Sequence, residues 1–165
     1  MGDELDHAIP SPLINRRKSF RRSSLRKDSY GVRHCGMGEH ELRQIREIVL
    51  GLPEVTERLS HGAPCFYVRG TRPVCYFHDH GFDNRDRVSL MCPAFAGSAE
   101  LLVGSRPGRF YRPSASAAGV FRDWLGMFLD DSDGDAVDWE EVADVLKDAY
   151  RLTAPRALVG LLDRS

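Results

Sequence analysis

Four arginines interleaved with aromatic rings are the residues of this sequence best placed to do chemistry. Arg106, Arg109, Arg112 and Arg122 fall within residues 101–122, a stretch without a single acid, together with Phe110, Tyr111 and Phe121, and Trp124 follows at once. Guanidinium forks contact phosphates, and exposed rings stack on bases. Arg69 and Arg72 lie at the tip of a hairpin and would extend the same set. The rings are equally well explained as core. The nucleic-acid reading therefore requires the guanidinium groups to share one exposed face.

Other constellations point to less. His61, His78, His80 and Asp83 carry good ligand atoms for zinc, iron or nickel. Yet His78 and His80 enter a polar turn, and a third ligand would have to come from His61 across the sheet. The run Asp131-Ser132-Asp133-Gly134-Asp135 begins like a calcium loop but places Ala136 at the sixth position and Val142 at the twelfth. Those positions demand Gly and a bidentate Glu. Ser60-His61 sets a hydroxyl beside an imidazole, but neighbouring side chains diverge and no orienting acid is nominated. No Walker A, dinucleotide or Gly-x-Ser-x-Gly pattern occurs. The expectation is a protein without enzymatic activity, cofactor or metal.

Charge is unevenly distributed in the 165 residues. Residues 1–36 hold eight Lys/Arg against four acids, a net of +4; the remainder holds 15 against 20, a net of −5. Residues 130–148 contain nine acids and Lys147 alone. The N-terminal stretch has few large apolar residues and cannot offset its ordering entropy, so residues 1–36 read as a disordered basic tail. That tail either lies on phosphates, with Ser19, Ser23 and Ser24 as modification sites, or does nothing. The domain proper reads as residues 37–165.

No apolar run approaches the length needed to cross a bilayer, and no leader-type stretch opens the chain. The four cysteines (Cys35, Cys65, Cys75, Cys92) show no zinc spacing and read as buried thiols in a reducing cytoplasm. Cys65 and Cys75 lie across one hairpin, within reach of a disulfide that is not expected.

The elements follow from periodicity. Leu42, Ile45, Val49 and Leu52 recur at helical spacing until Gly51 and Pro53. Strand-like runs at 65–68 and 74–77 flank the turn Gly70-Thr71-Arg72-Pro73, and 88–91, 109–111 and 124–129 read as further strands. Residues 95–103 suggest a short helix with Ala99, Leu101 and Leu102 on its apolar side. Asp138 is a good N-cap for a helix striped by Val142, Val145, Leu146 and Ala149. Pro155 opens a last helix bearing Leu158, Leu161 and Leu162. Helix, antiparallel strands, then helices imply an α+β fold with the helices on one face of a sheet.

Several of these motifs resemble a known family. Leu52-Pro53-Glu54-Val55-Thr56-Glu57, with Ser60-His61-Gly62 and Pro64-Cys65-Phe66, resembles the N-terminal signature of the MmcQ/YjbR proteins. The order of the later motifs is similar too: Arg109-Phe110-Tyr111-Arg112-Pro113, Trp124-Leu125-Gly126, Asp138-Trp139-Glu140-Glu141, Ala149-Tyr150-Arg151 and Ala154-Pro155. The resemblance implies a twisted antiparallel sheet like that of CyaY, the bacterial frataxin, and DNA binding through hairpin wings. The implied function is a small cytoplasmic DNA-binding module; the residues read above as meeting its phosphates are Arg106, Arg109, Arg112 and Arg122, helped by Arg69 and Arg72 at the hairpin tip. The alternative is a module that binds a metal, small ligand or protein through the acidic segment 130–141 or the cluster of His61, His78 and His80.

Overall fold

Polar–apolar alternation and helical stripes are converted into a single six-stranded sheet with helices on one side. The computed structural model describes residues 38–79, 86–114, 119–131 and 134–164. The basic tail, Cys35, His80, Asp83, Ser132 and Asp133 lie outside the described residues. All of the described residues belong to one unit, His34–Ser165.

In chain order the elements are α1 (Glu39–Val49), β1 (Val55–Ser60), β2 (Ala63–Val68), β3 (Arg72–His78), β4 (Ser89–Pro93), α2 (Ser98–Ser105), β5 (Phe110–Tyr111), β6 (Trp124–Phe128), α3 (Trp139–Thr153) and α4 (Arg156–Leu162). The sheet order is β1-β2-β3-β4-β6-β5, and every pairing is antiparallel. Asp138 caps α3 as expected, accepting from the backbone N–H groups of Glu140 and Glu141 at 3.0 and 3.2 Å. Such a cap is worth about 1 kcal/mol.

One face of the sheet carries the main core. Phe66, Val68, Phe77, Leu90, Cys92, Phe110, Leu125 and Met127 pack against Ile45 and Val49 of α1, Ala99 of α2, Val142, Leu146 and Tyr150 of α3 and Leu158 of α4. All four helices thus cover the same side. The α+β expectation with helices on one face holds.

The other face follows from the period of two in a strand. It presents Arg58, Cys65, Tyr67, Tyr76, His78, Ser89, Met91, Tyr111, Trp124, Gly126 and Phe128, and no helix among the described residues lies on it. Cys65 pairs with Tyr76 while Cys75 pairs with Phe66, so the two thiols stand on opposite faces. Cys65, Cys75 and Cys92 are all free and buried. Burial raises each thiol above its ordinary pKa, that of Cys92 to about 12.

Two local expectations need correcting, and β1 was not anticipated. β1 reads as polar in sequence, because an edge strand leaves half its residues in water, with Leu59 71% exposed. Leu101 is 76% exposed, so Ala99 and the half-buried Leu102 and Val103 face inward from α2. Leu161 of α4 is nearly half exposed.

Candidate functional site

The six arginines singled out in sequence do not gather on one face. Arg109 is only 7% exposed. Its guanidinium donates to the carbonyls of Phe128 and Asp130 at 3.0 and 3.2 Å, and to those of Asp135 and Ala136 at 2.7 and 3.4 Å. It ties the end of β6 to the loop ahead of α3, and a phosphate cannot reach it. The expectation of a phosphate contact there is corrected by burial.

The others occupy separate places. Arg106 forms a two-pronged pair with Glu141 of α3 and covers the Phe110 ring at 4.9 Å; that hydrogen-bonded carboxylate raises the guanidinium pKa. Arg112 bonds Glu100 at 2.6 Å and also donates to the carbonyl of Arg122. Arg69 at the hairpin tip pairs with Glu54, whose own pKa it lowers by hydrogen bonding. Arg72 donates to the Thr153 carbonyl at 3.2 Å, at the C-terminal end of α3. Arg122 is exposed, and among the described residues it has no ion pair. Exposed ion pairs of this kind are worth 1 kcal/mol or less, but they cancel the local positive field that would draw in a polyanion.

The acidic segment is occupied as well. A cleft of about 250 Å³ at the start of α3 is lined by Arg106, Gly108, Arg109, Asp135, Ala136, Asp138 and Glu141. Asp138 is spent on the helix cap and Glu141 on Arg106, while Asp130 pairs with Arg87. Among the described residues no three His, Cys, Asp or Glu side chains converge as a metal set. His61 sits exposed on the β1–β2 turn, its Nδ1 3.2 Å from the Ser60 hydroxyl. His78, half-buried at the end of β3, stacks over Tyr76, and burial lowers its pKa to about 4.

Sequence reasoning overlooked the helix-free face of the sheet. Tyr76 of β3, Phe121 in the turn before β6 and Trp124 at the start of β6 form a partly exposed trio of rings. Beside it, Tyr67, Tyr111 and Phe128 are buried under other groups. Arg58 lies 3.8 Å over the Tyr67 ring, and Arg87 lies 3.8 Å over that of Phe128. Tyr111 lies flat on Gly126 and donates to the Ser89 hydroxyl at 3.2 Å. Burial is also the largest cause of the raised Tyr76 pKa, so its phenol stays a neutral hydrogen-bonding group. Alternation in Cys65-Phe66-Tyr67 and Cys75-Tyr76-Phe77 was the available signal that rings line both faces.

Exposed charge of both signs occurs in the helix layer, where Arg43, Arg46, Arg151 and Arg156 accompany the acids of α3. The exposed acids Glu140, Asp144 and Asp148 ride on α3, in the helix layer. The opposite face carries Arg58 and, at its margin, Arg122, both exposed.

A family model described as YjbR matches residues 50–152. Among solved structures the chain is similar to a Deinococcus radiodurans protein with a DUF419 domain, at a TM-score of 0.55 and 17% identity. The match covers 74% of this chain and 87% of that one, and at such identity it bears on the fold alone. No curated protein matches the sequence.

Proposed function

This chain belongs to the YjbR family, and from that premise we propose that it is a non-enzymatic DNA-binding domain that meets its ligand on the helix-free face of the sheet. The supporting observation is that Arg58 and Arg122 stand exposed with no carboxylate partner among the described residues. Arg58 stands in solvent on the face that no helix covers, and Arg122 lies in the turn that holds Phe121 against the rings of that face. Field lines from two unneutralised guanidinium groups next to apolar rings favour a polyanion there. The CyaY-like architecture that the sequence motifs imply suits this reading, with Arg58 and the partly exposed rings of Tyr76, Phe121 and Trp124 as the parts of the helix-free face that solvent reaches. The free, buried thiols of Cys65, Cys75 and Cys92 support a reducing compartment for such a domain, the cytoplasm.

The acidic-segment alternative has less support, because Asp130, Asp138 and Glu141 already hold partners.

Fluorescence anisotropy of labelled DNA with the full chain tests the proposal at low and moderate salt. Affinity falls with salt by about 0.9 log units per log unit for each phosphate neutralised. Arg58→Ala and Arg122→Ala each reduce that slope by about 0.9, whereas Arg69→Ala and Arg106→Ala, which remove already paired charges, leave it nearly unchanged. An absence of binding at micromolar protein and low salt would remove the reading.

A further inference from the structure

We infer that the DNA held on this face is single-stranded, its unpaired bases stacking on Tyr76, Phe121 and Trp124. The inference rests on the DNA-binding reading and adds the form of the ligand.

Ring geometry comes first. The centroids of Phe121 and Trp124 are 4.9 Å apart with planes at 73°. Tyr76 lies 5.7 Å from Trp124 at 49° and 6.2 Å from Phe121 at 83°. Rings tilted against each other leave no common plane, so they present separate edges and faces. Splayed bases of a flexible strand can each find one of these. A duplex cannot: its base faces are stacked inside, and its grooves are read by an inserted helix or ribbon. The helix-free face offers a patch of partly exposed rings instead, beside ring neighbours that are themselves buried. Aromatic residues on open sheet faces are a general means of holding unstacked bases.

A second observation is the turn that carries Phe121. Its φ is +69°, a left-handed conformation that is strained for a bulky side chain. Such strain persists only where the surroundings over-determine it, and it collects at functional sites. Here the determinants are specific. Gly119 is also left-handed, at φ +75°, and accepts from the Arg122 N–H at 3.2 Å. The Phe121 carbonyl accepts from the Trp124 N–H at 3.3 Å, and the Asp123 carbonyl from the Ala94 N–H at 2.9 Å. Arg112, itself anchored by Glu100, donates to the Arg122 carbonyl. Arg112 is therefore a positioning residue for this turn. The turn holds the Phe121 ring against Tyr76 and Trp124, next to the exposed guanidinium of Arg122.

Charge complementarity completes the case. Stacking platforms for single strands combine rings with a cationic track for the backbone. Arg122 adjoins Phe121 of the trio and Arg58 lies on β1, at the far edge of the sheet, so a strand running from β6 over β4, β3 and β2 to β1 passes both. Asp123 is the acid adjoining Arg122.

The test is a competition with the full chain. Anisotropy is read on a labelled oligothymidylate of about 20 nucleotides and on a duplex of the same length, at equal salt. The single strand binds at least about tenfold more tightly. Trp124→Leu weakens the single strand by roughly 5- to 150-fold, the range for one lost stacking platform, and leaves duplex affinity as it was. Should Trp124→Leu not unfold cooperatively in urea, Trp139→Phe takes its place, leaving Trp124 as the only indole. Its fluorescence is then quenched by the single strand and not by the duplex. Equal or tighter duplex binding overturns the inference while leaving the DNA reading intact, as does a folded Trp124→Leu variant of unchanged single-strand affinity. Failure of both ligands removes the DNA reading itself, and this inference with it.

Discussion

Placing a single methyl group at Gly126 tests how tightly the helix-free face is assembled. Gly126 lies directly opposite Tyr111 in the β5–β6 pair. A Cβ built there meets the Cζ, Cε1 and Cε2 atoms of Tyr111 at 2.2 to 2.4 Å, where real Cβ contacts essentially never fall below 3.0 Å. The phenol ring must therefore shift by the better part of an ångström. It has little room, being buried and stacked 4.7 Å from Phe128 with its hydroxyl on Ser89. Overpacking of this kind costs about 1–3 kcal/mol, and breaking the Tyr111–Ser89 hydrogen bond adds about 1 kcal/mol. Gly126→Ala should then cost about 2–4 kcal/mol. At a urea m-value of about 2 kcal/mol per M, the unfolding midpoint falls by roughly 1–2 M with m unchanged. The decisive measurement is a double-mutant cycle. In a Tyr111→Val background the ring is gone, so adding Gly126→Ala costs under about 0.5 kcal/mol and the two sites couple by about 2 kcal/mol. If the costs simply add, the ring contact is not what requires glycine.

Three further outcomes follow from particular contacts. Arg109→Lys destabilises by about 3 kcal/mol or more in urea unfolding, because an ammonium cannot replace a fork that serves four buried or half-buried carbonyls; a loss below about 0.5 kcal/mol contradicts this. Arg87→Ala removes a guanidinium bonded to Asp130 and the cover of the Phe128 ring, and costs about 2–3 kcal/mol, whereas Arg87→Met keeps the cover and recovers part of that loss; identical midpoints for the two variants rule out a packing role. Burial holds the folded His78 imidazole at about 4 against an ordinary 6.5, so its neutral form stabilises fully above pH 6.5 and that contribution, up to about 3 kcal/mol, fades as pH falls towards 4. Urea midpoints taken between pH 7 and 4.5 should thus fall more steeply for the parent than for His78→Gln, and parallel profiles would refute the assignment.

Much of the fold was legible because its signals are local. The stripe from Leu42 to Leu52 marks α1, Asp138 marks the start of α3, and Gly70-Thr71-Arg72-Pro73 marks the β2–β3 hairpin. β1 escaped because Val55-Thr56-Glu57-Arg58-Leu59-Ser60 belongs to an edge strand with little burial to enforce alternation. The candidate site was only partly legible. The interleaving of arginine with aromatics drew attention to Phe121, Arg122 and Trp124, yet it could not separate Arg122, left exposed, from Arg109, consumed by carbonyls. Tyr76 joins the trio from a strand more than 40 residues earlier, and nothing in its neighbourhood announces that meeting.

Periodicity, caps and turn residues act over a few positions, so the sequence by itself determined which segments become helices or strands and which side of each is apolar. Partner choice acts across the whole chain. Whether a guanidinium meets a carboxylate 35 residues away, as Arg106 meets Glu141, or finds none among the described residues, as with Arg122, depends on how the strands order themselves in the sheet. The left-handed turn at Phe121 is equally a product of long-range restraint, since Ala94 and Arg112 hold it from outside. Only the tertiary structure decided which charges remain exposed and which rings share a face, because both are set by packing between elements rather than within them.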